Sequence, residues 1–216
     1  MRAAAQEEGP VDRRNSRGGR GRREHRRGGA SRPRPAAAER LSRFLAFVLR
    51  HHPEEIGLTL DDTGSADLEA VLAGLRRRPG FEAVRREHIE RLAASGPGAA
   101  RFEIAGDCIR ARYGHSLRQP IAYPAAAPPE DLFHGTSPEI AEMILSGGLT
   151  AGERQRVHLS ADTPAAREVG LRRSPSPVIL RIDTASAARA GVRFYRAAPS
   201  VWLSDDIPPE HITRLE

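Results

Sequence analysis

The sequence predicts an α+β protein in which two folded lobes follow a disordered, basic N-terminal tail. Apolar residues recur at helical spacing over residues 38–94, and a short alternation of apolar and polar residues follows at 102–112. Beyond residue 131 the pattern changes to short strand-like and helix-like segments, which lie too close together for parallel βαβ crossovers. A chain of 216 residues has room for one or two small domains.

The positive charge is concentrated in the tail. All 34 basic residues are Arg, and the formal net charge is +6. Residues 1–34 hold 11 Arg and 4 acidic residues, a net charge of +7, and the remainder holds 23 Arg against 24 acidic residues, a net charge of −1. We expect residues 1–37 to be disordered, because they have almost no apolar side chains to bury. The tail either binds RNA electrostatically or is a passive solvated segment.

Three helices are predicted in the first lobe, residues 38–116. The first is amphipathic and ends at Pro53; its apolar stripe consists of Leu41, Phe44, Leu45, Val48 and Leu49. The second has Ser65 as its predicted N-cap, and its apolar face consists of Leu68, Val71, Leu72 and Leu75. The third covers roughly Arg86 to Ala94.

A β-hairpin is predicted from the segment RFEIAGDCIRAR, in which apolar residues alternate on either side of a turn at Gly106 and Asp107. By the two-residue period of a strand, Arg110 and Arg112 lie on one face. Three helices followed by a hairpin is the order of elements in a winged helix, a common nucleic-acid-binding module.

The second lobe, residues 131–216, follows a linker at 117–130 that contains four Pro. A strand at Leu132–Phe133 precedes a helix that begins at Pro138, with Ser137 as N-cap and Gly147-Gly148 as its stop. Further strands are predicted at 157–159, 178–182, 192–195 and 201–203. Because no Gly-x-Gly-x-x-Gly string opens a helix, a Rossmann dinucleotide site is disfavoured.

The composition disfavours several classes of protein. No apolar run is long enough to span a membrane, and no signal-peptide core is present, so we expect a cytoplasmic protein with no membrane partner. The single Cys108 excludes an internal disulfide and a Cys-based zinc site. No exposed apolar stripe requires a second copy, and a monomer is expected.

Four short strings combine arginine and histidine with glycine and hydroxyl residues: LRHHP at 49–53, IRARYGHS at 109–116, FHGTS at 133–137 and RQRVHLS at 154–160. Guanidinium binds phosphate bidentately and keeps its proton at working pH. Imidazole and hydroxyl groups hydrogen-bond to ribose or phosphate. Taken singly, each string is explained by helix capping, solvated arginine or a core histidine. Together they indicate a site for phosphates and a nucleotide.

These strings, with VWLSDDIP at 201–208, stand in the order found in KptA-type RNA 2′-phosphotransferases, and the chain resembles that family from about Glu39 to His211. The resemblance implies an N-terminal winged-helix lobe that binds RNA and a C-terminal lobe related to ADP-ribosyltransferases. It also implies RNA bearing a 2′-phosphate as partner, NAD as co-substrate and no metal.

The resemblance further implies the site residues. The catalytic set that grips the RNA phosphates matches Arg50, His51, Arg110 and Arg154. The residues that resemble the family's NAD contacts are His115, Ser116, His134, Gly135, Thr136, His158, Ser160 and Arg172. In the implied reaction, the RNA 2′-phosphate displaces nicotinamide and the ribose 2″-hydroxyl then attacks the phosphorus. The products are 2′-hydroxyl RNA, nicotinamide and ADP-ribose 1″,2″-cyclic phosphate.

The chain departs from the family's pattern at four places. Ser65 stands where the family usually has Trp, Tyr113 where it has Gln, and Arg156 where it has His, and the segment 96–99 replaces polar residues. We expect Ser65 to cost core packing in the first lobe and the other changes to affect substrate preference or rate. Two alternatives stay open: an ADP-ribosyltransferase that acts on terminal phosphates of RNA or DNA, and a non-catalytic winged-helix RNA-binding protein.

Overall fold

The structure, a computed structural model, describes residues 37–95 and 101–215. The predicted tail, apart from residue 37, and the segment 96–99 lie outside the described residues. Residues 35–216 belong to one unit of the chain, which contains a three-stranded and a six-stranded sheet. The prediction of mixed helix and sheet is confirmed.

The first lobe packs three helices on the smaller sheet. They are α1 (Ala37–Arg50), α2 (Leu68–Arg76) and α3 (Arg86–Ala94). The strands are β1 (Ser65–Asp67), β2 (Phe102–Ala105) and β3 (Cys108–Ala111), paired antiparallel in the order β1-β3-β2. The apolar stripes predicted for α1 and α2 form most of one buried cluster with Ile89, Phe102 and Ile109. The predicted helices and hairpin are therefore confirmed as elements.

Helix α1 ends where its sequence requires. Glu39 lies in its first turn and Arg50 in its last, where each charge interacts favourably with the helix dipole. A 3-10 turn over Pro53–Ile56 follows, because proline cannot continue an α-helix. The end of α1 therefore carries Arg50 and His51 to the edge of the lobe.

The predicted N-cap of α2 is wrong. Asp67 caps the helix, and its Oδ1 accepts a hydrogen bond from the backbone N–H of Ala70 at 2.7 Å. Ser65 lies instead in β1, directly opposite Arg110 of β3, and it is partly exposed and outside the buried cluster. A carboxylate next to the first helical residue is a strong cap, which leaves Ser65 free to pair in the sheet. The expected cost to core packing at Ser65 stays a prediction.

The second lobe is built on the six-stranded sheet, in the order β7-β8-β5-β4-β6-β9. The strands are β4 (Asp131–Thr136), β5 (Val157–Ser160), β6 (Val178–Asp183), β7 (Phe194–Ala198), β8 (Val201–Ser204) and β9 (Ile212–Arg214). The helices are α4 (Pro138–Gly147), α5 (Thr163–Gly170) and α6 (Thr184–Arg189). All recorded pairings are antiparallel, in agreement with the expected lack of βαβ crossovers.

Two glycines let α5 cross β4 at close range. A Cβ on Gly135 would lie 1.8 Å from the carbonyl oxygen of Ala166, and one on Gly170 would lie 3.2 Å from the Gly135 carbonyl carbon. Neither position therefore has room for a side chain. The resemblance places Gly135 among the NAD contacts, and in the structure the space where its side chain would stand is filled by α5.

The predicted linker is bonded to both lobes. The backbone N–H of Ala122 donates to the Asp62 carbonyl at 2.8 Å, and that of Ala126 donates to the Phe194 carbonyl at 2.9 Å.

All three tyrosines of the chain, Tyr113, Tyr123 and Tyr195, meet in one cluster. Among the described residues, no helix is long and apolar enough to cross a membrane.

Candidate active site

Arg50, the last residue of α1, carries a buried charge that the protein does not neutralise. Its Nε and Nη2 atoms are buried and have no hydrogen-bond acceptor within the described part of the chain. The guanidinium carbon lies 5.0 Å from the centre of the Tyr113 ring. Burial lowers the pKa of Arg50, and the charges of Arg101 and Arg154 lower it further. The side chain therefore has hydrogen-bond donors without acceptors and a positive charge that an anionic ligand would stabilise.

His51 is held beside it by Ser116. The His51 Nδ1 atom and the Ser116 hydroxyl lie 2.7 Å apart, and the Ser116 backbone N–H donates to the Arg50 carbonyl at 3.0 Å. Burial and the charge of Arg50 lower the pKa of His51, so the ring is neutral at pH 7. The neighbouring His52 contacts Glu54 at 3.0 Å instead. Of the two adjacent histidines, His51 is the one with a partner from the site strings.

Arg154 reaches the same region from the second lobe. It precedes β5 and is more exposed than Arg50, but the surrounding protein still lowers the pKa of its guanidinium. The charge of Arg173 lowers that pKa further, and the charge of Arg154 in turn lowers the pKa of Arg50. Two guanidiniums from separate lobes thus repel each other across one site.

His134 and His158 complete the second-lobe side of the site. His158 Nδ1 donates to the Arg156 carbonyl at 3.0 Å, and His134 Nδ1 donates to the His158 carbonyl at 3.0 Å. Because Nδ1 carries the proton in both rings, each Nε2 is left as an acceptor. Burial first, and then the charge of Arg154, lowers the pKa of His158 to about 3. Burial also lowers the pKa of His134.

Arg110 differs from these residues because it already has a counter-ion. Its Nε and Nη2 atoms lie 2.7 and 2.6 Å from Glu103 Oε2, on the adjacent strand of the hairpin. Arg112 Nη1 lies 3.7 Å from the other oxygen of Glu103, so the two arginines share a face as predicted. The charge of Arg110 still contributes to the low pKa of His115. Arg110 therefore lies near the site with its charge compensated.

His115 is buried behind the site. Its Nδ1 atom is hydrogen-bonded to the Tyr123 hydroxyl at 2.8 Å, and only 2% of the residue is exposed. Burial, followed by the charge of Arg50, lowers its pKa to about 4, and burial raises the pKa of Tyr123 to about 12. The ring thus contacts protein on all sides, whereas Ser116 next to it is exposed.

Gln155 connects the two halves of the site. Its side-chain oxygen accepts a hydrogen bond from the backbone N–H of Ile121 at 2.8 Å. Its side-chain nitrogen donates to the backbone carbonyls of Leu117 and Gln119 at 2.8 and 2.7 Å. Its backbone N–H donates to the His115 carbonyl at 3.1 Å. Because Arg154 precedes Gln155, these bonds fix where Arg154 stands relative to the first lobe.

The site as a whole has an excess of positive charge. Elsewhere arginines are paired with carboxylates, as Arg156 is with Asp205 at 2.8 Å and Arg181 with Asp131 at 2.8 Å. Within the described residues, no carboxylate lies within 4.0 Å of Arg50 or Arg154. No cluster of His, Cys, Asp and Glu suited to a metal occurs there either. Such an arrangement binds phosphate, because free guanidinium donors match its charge and shape.

Comparison with known proteins gives the family. The sequence pattern described as "RNA 2'-phosphotransferase, Tpt1 / KptA family" matches residues 36–206. The chain belongs to this family. A probable RNA 2′-phosphotransferase of Hahella chejuensis is 41% identical over 177 residues, which are 81% of this chain and 93% of that protein. Proteins of the same name from Lacticaseibacillus paracasei (39% over 180 residues, 82% and 93%) and Agrobacterium fabrum (41% over 178 residues, 80% and 91%) are similar too.

The RNA 2′-phosphotransferase resemblance seen in the motifs is thus confirmed, and the matched region covers the smaller sheet and five of the six strands of the larger one. The structure brings together Arg50, His51, Ser116, Arg154, His134 and His158. Thr136 and Ser160 lie buried in β4 and β5.

Arg172 is exposed and paired with Glu168 at 3.2 Å. It is the next residue, Arg173, whose charge acts on His134 and Arg154. Sequence reasoning missed Arg173, because two adjacent arginines after a helix give no signal of which one lies nearer to the histidines of the site.

Proposed function

We propose that the protein is an NAD-dependent RNA 2′-phosphotransferase. It converts RNA with an internal 2′-phosphate and NAD into 2′-hydroxyl RNA, nicotinamide and ADP-ribose 1″,2″-cyclic phosphate. The observation that carries the proposal is the uncompensated positive charge that Arg50 and Arg154 bring to one site from two lobes. Family membership and the names of the relatives support the RNA 2′-phosphate as the anion.

In this proposal the guanidiniums of Arg50 and Arg154 bind the phosphate that is transferred. They neutralise charge that builds up on its oxygens. Removal of one such donor set typically costs about 10² to 10³ in rate. We infer that Arg110 joins them only after its bond to Glu103 is exchanged for a bond to RNA.

The second-lobe residues fit the dinucleotide. His134 and His158 present Nε2 acceptors, which suit ribose hydroxyls, and the His158 Nε2 atom is buried without a partner among the described residues. Arg173, whose charge acts on His134 and Arg154, supplies positive charge for the phosphates of the dinucleotide. NAD would contribute the ribose carbon to which the RNA phosphate is transferred. We infer that His51, neutral and fixed by Ser116, orients the phosphate or carries a proton.

We also infer that the first lobe is a winged-helix module that positions the RNA, and that the second is related to ADP-ribosyltransferases. The three helices and hairpin support the first inference, and the antiparallel sheet with its HGT string supports the second. Arg110 and Arg112 share one partly exposed face of the hairpin, and they would offer their charge to RNA once their bonds to Glu103 are exchanged.

The proposal is tested with a short RNA that carries one internal 2′-phosphate. Arg50→Ala and Arg154→Ala should each lower NAD-dependent dephosphorylation by about 10² or more. Arg214→Ala is the matched control, because that arginine is paired with Glu142 at the surface at 3.1 Å, and it should keep at least half of the activity. Equal activity in all three variants would refute the proposal. Accumulation of ADP-ribosylated nucleic acid would support the transferase alternative, and RNA binding without nicotinamide release the non-catalytic one.

A further inference from the structure

Tyr113 stands at the centre of the site and contacts both lobes. It follows β3, and its ring lies beneath the Arg50 guanidinium carbon at 5.0 Å. The edge of the ring meets His158 of the second lobe, with centroids 5.8 Å apart at an interplanar angle of 67°. Tyr113 also packs on the buried cluster that contains Tyr195 and Leu203. One aromatic side chain therefore contacts a cation of the first lobe and an imidazole of the second.

Arg50 depends on this ring for its orientation. Its Nε and Nη2 atoms have no acceptor among the described residues, so no hydrogen bond there fixes the plane of the guanidinium. On another side the Arg50 side chain passes Gly114, whose φ is +90°, and a Cβ there would lie 3.4 Å from Arg50 Cδ. The Arg50 side chain therefore lies against both the ring and the glycine. A stacked guanidinium keeps its edge, where all of its donors point, free for another partner.

We propose that Tyr113 is a positioning residue, which holds the Arg50 guanidinium flat so that its free edge binds the transferred phosphate. The inference rests on the proposed function for the identity of the phosphate, but the stacking and the free donors are properties of this chain. A carboxylate partner would orient Arg50 as well, but it would occupy the donors that the phosphate needs. Arg156 illustrates that second arrangement, since it stacks on Tyr195 at 4.9 Å and is also bonded to Asp205.

The test measures binding of inorganic phosphate to the full-length protein by calorimetry, without NAD or RNA. Tyr113→Leu removes the ring and should weaken phosphate binding about 3- to 30-fold, the loss expected for a cation–aromatic contact that is partly shielded from water. Tyr113→Phe keeps the ring and should stay within about 2-fold of the wild type. Tyr195→Leu is the matched control, because it removes a ring from an arginine that Asp205 already holds, and phosphate binding should not change.

A second readout is the NMR signal of Arg50 itself. In the wild type, the NMR signal of the Arg50 Nε–H group should lie upfield of the other arginine Nε–H signals, because the group sits over the ring, and it should move when phosphate is added. In Tyr113→Leu the upfield displacement should vanish, and in Tyr113→Phe it should persist. Loss of global packing alone would not reproduce this pattern.

Several results would overturn the proposal: phosphate affinity in Tyr113→Leu equal to that of the wild type, an Arg50 signal without upfield displacement, or phosphate that does not perturb Arg50. Equal weakening in Tyr113→Phe and Tyr113→Leu would also overturn it, because the hydroxyl and not the ring would then be responsible. A wild type that passes these tests but does not act on 2′-phosphorylated RNA would refute the proposed function and leave the role of Tyr113 standing.

Discussion

Replacing Arg50 with Met should make the protein more stable while removing its activity. Two buried guanidinium nitrogens without acceptors cost about 1–3 kcal/mol each, and the stack on Tyr113 returns about 1–2 kcal/mol. Methionine keeps most of the aliphatic stem and carries no charge. We therefore expect Arg50→Met to raise the free energy of unfolding by about 2 kcal/mol, which for a protein of this size raises Tm by about 4–8 °C.

The assay is thermal unfolding with and without inorganic phosphate. A ligand that binds only the folded state adds about 2.7 kcal/mol of stability at a concentration of 100 times its Kd. Phosphate should therefore raise the Tm of the wild type, and in Arg50→Met most of this increase should be lost. Dephosphorylation of RNA by the variant should fall about 10²-fold or more.

Arg156→Met is the matched control. Arg156 also lies over a tyrosine and has a buried Nε atom without an acceptor, but its charge is balanced by Asp205 at 2.8 Å. We expect the loss of the ion pair and of the cation–aromatic contact to outweigh the removal of that Nε atom, so the stability should fall by up to about 1 kcal/mol. The two substitutions should thus change the stability in opposite directions. An Arg50→Met protein that is less stable than the wild type by 1 kcal/mol or more would refute the reasoning, because Arg50 would then be held by favourable contacts and would not carry an uncompensated charge.

Three further predictions concern the fold and its pH dependence. Gly135→Ala should destabilise by about 3 kcal/mol or more in urea unfolding, because a Cβ would overlap the backbone of α5, and wild-type stability would contradict the close crossing. His115 has a pKa of about 4 in the folded protein, whereas in the unfolded chain it takes up a proton near pH 6.5. Between these two pH values the unfolded state binds more protons than the folded state. The contribution of His115 to the stability should therefore rise with pH from about 4 to 6.5, by up to about 1.4 kcal/mol per pH unit. His158, with a pKa of about 3, adds its own contribution to the slope, so His115→Gln should reduce the slope without abolishing it, and an unchanged slope would assign it to other groups. Asp67→Ala should cost about 1 kcal/mol in the same urea assay and Ser65→Ala almost nothing; equal effects would argue against Asp67 as the cap.

The longer elements of the fold could be predicted from the sequence because their own pattern determines them. The apolar stripe of α1, the hairpin around Gly106 and the helix capped by Ser137 all appear in the structure where the sequence places them. The three-residue strands β1 and β9 and the short helices α5 and α6 were not predicted. Such segments are too short to show a period, and they form because a neighbouring strand or sheet face is already present.

The site could be predicted as a set of strings but not as an arrangement. His51 and Ser116 lie 65 positions apart, and nothing in either string indicates that they form a hydrogen bond. The stack of Arg50 on Tyr113 and the bonds of Gln155 to the linker depend in the same way on how the lobes pack. Sequence motifs indicate which residues form the site. The residues that hold them in place can be identified only from the tertiary contacts.

The most direct test of the central claim is to incubate the full-length protein with NAD and a short RNA that carries one internal 2′-phosphate, and to separate the products by mass spectrometry. The account predicts NAD-dependent loss of the 2′-phosphate, with one nicotinamide and one ADP-ribose cyclic phosphate formed for each phosphate removed. Intact 2′-phosphorylated RNA and no nicotinamide release, from a protein that is folded and binds inorganic phosphate, would contradict it.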